Sequence, residues 1–394
     1  MILSRWVIHL VCGLGSLSVY AGAPFVDPSD DLENLGKAED VLFWTPAQQV
    51  SGYRNWGKVF PTRNIAAGGK PFPLPLNLQD LNATEFTYQD ETMSLDEYYS
   101  KHSVAGLLII KDGQIAYERY GLGNDENTVW DSFSVAKSLT SLLLGVALKE
   151  GYIKSLDEKV SDYLPRLKGS AYDDASIRHI LHMSSGVQWD ENYSDPNADI
   201  NKMPWDARGL YDYLKQKPRV HPAGDQFNYN SAETNLVGTL VRSAIGNNLS
   251  TYLSDKIWKP FGMQADGSWE LGVPGGGETG GSSFNATLRD FGRIGLFALR
   301  RGTLLDGTQV LPEGWMQEST RPAETNKHYG YLWWLKANGA YAAQGIFGQG
   351  IYIFPEQNMV VALHSARPIA ADLKDLMRQD ALIRALVKAG ALDS

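Results

Sequence analysis

The chain has 394 residues, 43% hydrophobic and 21% charged, enough apolar side chain to bury a large core in one big domain or two smaller ones. Its formal charge is −9, without a Lys/Arg cluster or interleaved basic and aromatic residues, which argues against nucleic acid or an anionic membrane surface as a partner. Seven scattered histidines and one cysteine form no H-E-x-x-H or paired-cysteine spacing, so neither a metal nor a cofactor is expected.

At the N-terminus Arg5 precedes an apolar stretch over 6–17, and Ala21, Gly22 and Ala23 follow before Pro24. A positive residue, a short apolar core and an A-x-A-like end read as a cleavable secretory signal over 1–23, too short for a membrane span. Cys12 lies inside it, so the mature protein would have no disulfide. A periplasmic or secreted protein with no membrane span after signal removal is the expectation; a buried N-terminal helix is the alternative.

Residues 24–87 are rich in Pro, Gly and Asn and weakly periodic, but Phe43, Trp44, Tyr53, Trp56, Phe60 and Phe72 argue against disorder. The stretch reads as an extended arm laid over the core. A short helix is expected over 94–102, then two β-rich runs within 104–120 joined across Asp112-Gly113, a strong hairpin signal. The loop 121–129 leads into a helix that starts at Ser134 and ends near Gly151, and 155–165 reads as a short helix stopped by Pro165. Helical periods dominate 177–183, 209–216, 231–245 and 249–258. The glycine run 275–281 lacks the Gly-Lys-Ser/Thr of a phosphate loop and reads as a flexible connection between lobes. Helices are expected at 287–300, with Arg289 and Arg293 on one face, and at 312–320. Strands at 329–334, 345–354 and 359–364 and a helix over 371–389 close the chain.

Strands near both ends with helices between them predict an α/β fold: an antiparallel sheet flanked by helices, with an inserted all-α lobe and the site in the crevice. The α/β body is assigned to 88–170 and 285–394, and the helical lobe to 171–284.

Three stretches carry candidate chemistry. Ser134-Val-Ala-Lys137 places a hydroxyl and an ammonium one helical turn apart, a nucleophile beside its activator, although an N-cap serine and a solvated lysine fit the same spacing. Tyr229-Asn230-Ser231 opens a helix. A nearby cation such as Lys137 would lower the Tyr229 phenol enough to relay a proton, although a core tyrosine before a Ser cap is the plain alternative. Gly345-Ile346-Phe347-Gly348, read at a strand start, would bring the Ile346 N–H beside that of Ser134 as an oxyanion hole, or it is a simple hairpin turn.

In this order the three stretches resemble the motifs of the serine β-lactamase and penicillin-recognising superfamily. The segments 181–187 and 285–293 also resemble its helix end and its return to the sheet. The details, Ser134-Val-Ala-Lys137-Ser138, Met183-x-Ser-Gly-Val-x-Trp189, Tyr-x-Ser and Gly-Ile-Phe-Gly-Gln349, are most similar to the 6-aminohexanoate-dimer hydrolase group, beside class C β-lactamases and family VIII esterases. The resemblance implies Ser134, Lys137 and Tyr229 as the catalytic set and the N–H groups of Ser134 and Ile346 as the oxyanion hole. Ser231, Gly345, Phe347, Trp130, Trp189 and Trp333 are candidates for substrate contacts, with Trp334 beside them, core packing being the plain alternative for each tryptophan.

Two departures matter. Ser231 stands where class C enzymes have asparagine, and Ala343-Gln344-Gly345 replaces Lys-Thr-Gly, removing an ammonium that would hold a β-lactam or peptide carboxylate. The absence of a Gly-x-Ser-x-Gly elbow excludes the α/β-hydrolase arrangement. The expectation is therefore a secreted serine hydrolase acting on a small-molecule amide or ester through an acyl-enzyme. Its rivals are a D-amino-acid peptidase, penicillin-binding protein or β-lactamase, and a catalytically silent binding or sensor protein.

Overall fold

The structure, a computed structural model, describes residues 25–392, so the expected signal segment 1–23 and Cys12 lie outside the described residues. No helix among the described residues is long and apolar enough to cross a membrane. The strands in chain order are β1 (Thr62–Ile65), β2 (Glu85–Tyr88), β3 (Glu91–Ser94), β4 (Val104–Lys111), β5 (Gln114–Tyr120), β6 (Val129–Asp131), β7 (Gly267–Glu270), β8 (Phe284–Thr287), β9 (Trp334–Leu335), β10 (Tyr341–Gln344), β11 (Gly350–Phe354) and β12 (Met359–Ser365).

An antiparallel six-stranded sheet, ordered β5-β4-β12-β11-β10-β9, joins the early strands to the late ones as the sequence predicts. The β4–β5 turn is made by Asp112 and Gly113, whose φ values of 51° and 78° are the two positive angles a two-residue type I′ turn requires. Period-two alternation splits the apolar run of β4 between two cores. Leu108 and Ile110 face Leu139, Leu142, Phe291 and Ile294, whereas Leu107 and Ile109 face Tyr98, Leu382 and Leu386 on the other side. Burial on both faces is why the run lacks polar residues.

Helix Val135–Lys149 is buried along one side and the other from Val135 to Ala147, the pattern of an interior helix. It packs between the sheet and helix Ser231–Ile245, so a polar group at its start faces the junction of the two layers. Helix Leu288–Leu299 covers β11 and β12 and is capped by Thr287, whose side chain accepts from the Asp290 N–H.

A second antiparallel sheet, β1-β7-β8-β6, was not foreseen. Its strands are three or four residues long, too short to show a period. Within 25–87 the chain also forms helix Pro46–Arg54, started by a Thr45–Gln48 capping box. Trp44, Tyr53, Trp56 and Phe60 then bury themselves against Trp130, Phe133 and Phe347. Arg54 fastens this stretch, pairing with buried Asp31 at 2.6 Å and donating to the Leu122 carbonyl at 2.6 Å.

Several sequence expectations need correction. Of the stretch 329–334 only Trp334 is in a strand, the short β9, because Leu332 sits at φ 62° and turns the chain. The stretch 345–354 is not one strand: 345–349 is the turn between β10 and β11. Strand β10 was missed because Ala342 and Ala343 have little β propensity. The helix expected over 155–165 shrinks to Val160–Tyr163, since the Glu158 carboxylate draws the N–H groups of Lys154 and Ser155 into a turn. The glycine run is fastened, not free. Buried Glu278 pairs with Arg63 and accepts from the N–H groups of Leu249 and Ser250, and the carbonyls of Gly280 and Gly281 accept from Thr140 and Lys137.

Candidate active site

Strand β6 ends at Asp131, and two residues later Phe133 adopts φ 43°, a conformation a bulky L-residue rarely takes. Buried Asp131 holds it there by accepting the Phe133 N–H at 2.9 Å, and the rings of Tyr53, Trp56 and Phe347 meet Phe133 edge-on at 5.1, 5.4 and 4.9 Å. The sharp turn delivers Ser134 to the head of the interior helix.

Ser134 does not cap that helix with its side chain. Its Oγ instead accepts from Lys137 Nζ at 3.1 Å, and the same Nζ donates to Ser231 Oγ at 2.9 Å and to the Gly281 carbonyl at 2.7 Å. Three acceptors match the three protons of an ammonium. Lys137 is nevertheless buried, and burial pulls it down to about 8, against the opposing pull of the Glu191 carboxylate. An amine so placed is partly neutral near physiological pH and touches the Ser134 oxygen.

Glu191 is the residue the sequence reading missed. It accepts from the Ser231 hydroxyl, from the Ser231 N–H at 3.0 Å, from the Tyr193 hydroxyl at 2.7 Å and from the Trp189 indole N–H. A chain Lys137–Ser231–Glu191 therefore runs through the site. Trp189 had been singled out, and the carboxylate two residues on, in a Trp-x-Glu-x-Tyr pattern, was the signal available.

Tyr229 packs over Trp334 with ring centroids 5.6 Å apart and meets Tyr329 edge-on. Lys137 Nζ lies 5.2 Å from its ring centre. The expected lowering of the phenol by Lys137 is not met. Burial first, and the Glu191 charge second, push the phenol up, and only its polar contact with Ser134 draws it down.

The turn after β10 brings Ile346 to the same place. A side chain on Gly345 would stand 2.6 Å from the Ser132 carbonyl and from Gln349 Oε1, so this close approach demands glycine. The Phe347 N–H is spent on Gln349 Oε1 at 3.2 Å, whereas the N–H groups of Ser134 and Ile346 donate to no other group among the described residues. Ser134, Ser231 and Ile346 all line one cavity of about 110 Å³.

Five sequence-nominated residues, Ser134, Lys137, Tyr229, Ser231 and Ile346, thus come together. Gly345 acts by leaving room. Trp189 supports Glu191 from a buried position. Trp130, Trp333 and Phe347 do not line the cavity. Trp130 is fully buried, donates to the Ser365 carbonyl at 3.2 Å and stacks on His364. Trp333 packs edge-on against Tyr341, and Phe347 lies behind Phe133. The bulk of Trp130 and Phe347 is spent on cores because β6 and the 345–349 turn present them away from the opening. No group of three or more metal-binding side chains occurs among the described residues.

With this geometry established, the comparisons with known proteins are specific. The Beta-lactamase family model matches residues 95–385, most of the chain. A 6-aminohexanoate-dimer hydrolase of Paenarthrobacter ureafaciens is 24% identical over 338 residues, covering 79% of this chain and 84% of that protein. A Bacillus anthracis structure, provisionally described as a 6-aminohexanoate-dimer hydrolase, superposes with TM-score 0.77 at 21% identity over 86% of this chain and 93% of its own. A family VIII carboxylesterase structure gives TM-score 0.56 at 16% identity, covering 73% of this chain and 96% of its own. Curated β-lactamases and proteins provisionally described as D-alanyl-D-alanine carboxypeptidases are matched over less than half of their length.

Proposed function

The chain belongs to the beta-lactamase family and is a serine hydrolase, and from that premise we propose that it cleaves a small amide or ester through an acyl-enzyme on Ser134. The observation that carries the reading is the buried Lys137 amine, 3.1 Å from Ser134 Oγ and held down to about 8. Neutral Lys137 takes the Ser134 proton as Oγ attacks the carbonyl carbon. The N–H groups of Ser134 and Ile346 meet the developing oxyanion, a contribution on the order of 10²–10³ in rate per donor. Tyr229, kept protonated by its surroundings, gives its proton to the leaving group, and the Lys137 ammonium, which holds the proton taken from Ser134, restores the phenol. Water then repeats the sequence on the acyl-enzyme.

The similarity to a 6-aminohexanoate-dimer hydrolase over most of both chains supports a small linear amide or ester as the substrate class. Peptidase or β-lactamase activity is disfavoured by position 343, where buried Ala343 stands in place of the motif's lysine, and neutral Gln344 beside it, donating to the Tyr352 hydroxyl at 2.8 Å, supplies no cation for a carboxylate either. Residues 1–23 are read as an export signal, which places the reaction outside the cytoplasm. A substrate panel tests the proposal: a p-nitrophenyl butanoate ester, a 6-aminohexanoate dimer, nitrocefin and a D-Ala-D-Ala peptide. Turnover concentrated on the first two supports it. Faster turnover of nitrocefin or the peptide overturns the ranking.

A further inference from the structure

The cavity beside Ser134 is walled by Leu42, Phe43, Trp56, Phe60 and Phe133, and two acidic residues also line it, exposed Glu39 and buried Glu270. Four of these apolar side chains come from before residue 95, where the family match begins. Strand β1 of that N-terminal stretch pairs with β7, setting Thr62 opposite Glu270, and the Trp56 indole N–H donates to Glu270 Oε2 at 2.9 Å. Glu270 is 2% exposed and makes no ion pair with a described residue. A buried carboxyl group without a cation, in an apolar wall beside a nucleophile, has unspent hydrogen-bonding capacity.

The cavity also has a side. Tyr229, which in the proposed mechanism returns the proton to the leaving group, stands outside its lining, so the cavity takes the acyl part of the substrate. At about 110 Å³ it holds a chain of about five heavy atoms, judged against cavities that accept a benzene ring. Glu39 at the wall, with Glu191 behind the lining residue Ser231, makes it hostile to an anion.

We propose that this cavity is the acyl-specificity pocket and that Glu270, held by Trp56, selects a short apolar acyl chain tipped by a hydrogen-bond donor, a hydroxyl or an amine, and rejects a carboxylate tip. The inference rests on the hydrolase reading above. Burial pushes Glu270 up to about 8, so the empty pocket holds it largely uncharged, and an amine tip would draw it into an ion pair.

The test measures ethanol release from the ethyl esters of butanoic, 4-hydroxybutanoic, 4-aminobutanoic and decanoic acids and from monoethyl succinate. Wild type should turn over the hydroxy and amino esters at least about tenfold faster, in kcat/KM, than the succinate half-ester. Glu270→Gln keeps an acceptor for Trp56 and for a hydroxyl but cannot pair with an ammonium, so it should lose the amine preference about tenfold while retaining most of the hydroxyl preference. Leu42→Ala, on the half-buried rim, should raise decanoate relative to butanoate about fivefold. Equal use of the succinate half-ester, or ratios unmoved by both substitutions, overturns the pocket assignment. So does fluorophosphonate labelling of Ser134 without turnover of any of these esters. Absence of both labelling and turnover overturns the hydrolase reading itself.

Discussion

Replacing Glu191 by glutamine should move the pH dependence of the reaction to lower pH. Glu191 does not touch Lys137; Ser231 Oγ sits between them, which holds the two charges roughly 5–6 Å apart. At an effective dielectric constant of about 20 such a pair is worth about 3 kcal/mol, and water entering the altered site would return part of it. A net change of about 1.4 kcal/mol, about one pH unit, is the expected result. The sign follows from the site. Burial lowers Lys137 to about 8 and the Glu191 charge resists that, so removing the charge lowers the amine further. In wild type kcat/KM should rise with pH through an inflection near 8, as Lys137 loses its proton. In Glu191→Gln the rising limb should appear about one unit lower. Tyr229, pushed up partly by the same carboxylate, should carry any upper limb down as well. The assay is kcat/KM for p-nitrophenyl butanoate between pH 5.5 and 10. The position of the inflection is the readout, because loss of an anchor for Ser231 will also reduce the rate. An inflection that stays in place or moves up would refute the Lys137–Ser231–Glu191 coupling.

Three further outcomes follow from single contacts. Gly345→Ala would press a methyl group to 2.6 Å from the Ser132 carbonyl, displacing the Ile346 N–H; kcat should fall on the order of 100-fold in steady-state assays, with the melting temperature lowered by the same overpacking. Glu233, fully buried and bonded to Ser185, is pushed from an ordinary 4.5 up to about 8. The folded protein therefore keeps a proton that the unfolded chain loses, so the contribution of Glu233 to stability is fullest below pH 4.5 and is lost as pH rises through 8. Glu233→Gln should flatten that decline by on the order of a few kcal/mol, read as melting temperature against pH. Glu278→Gln removes a buried charge that serves Arg63 and the start of helix Leu249–Leu253 and should cost about 3 kcal/mol in urea unfolding.

What could be read from the sequence was local. Asp112-Gly113 announced the β4–β5 hairpin because both residues accept positive φ, and the periodic pattern over 231–245 matches the bounds of helix Ser231–Ile245, although Asn230 and not the expected Ser231 caps it. Ser134 and Lys137 are three residues apart, so their meeting needs only the helix. Glu191 was hidden because it reaches Ser231 across 40 residues of chain, and Ser231 reaches Lys137 across 94. No spacing rule links loop carboxylates over such distances. The four-stranded sheet escaped notice for a related reason: β1, β6, β7 and β8 are too short to show alternation, and their pairing joins residue 62 to residue 270. The inward or outward sense of Trp130 depends on that unseen pairing, and with Trp130 set opposite Ala286 it faces a core. The Tyr229 expectation failed on burial, which a sequence does not display, since desolvation and then the Glu191 charge outweigh the one contact that lowers the phenol, that with Ser134.

The claim on which the rest depends is that Ser134 is the nucleophile. Incubation with a fluorophosphonate probe, followed by proteolysis and mass spectrometry, tests it most directly. One adduct is expected on the peptide bearing Ser134, formed faster as pH rises through 8, and none in Ser134→Ala. Equal labelling of Ser134→Ala, or an adduct on another residue, would contradict it.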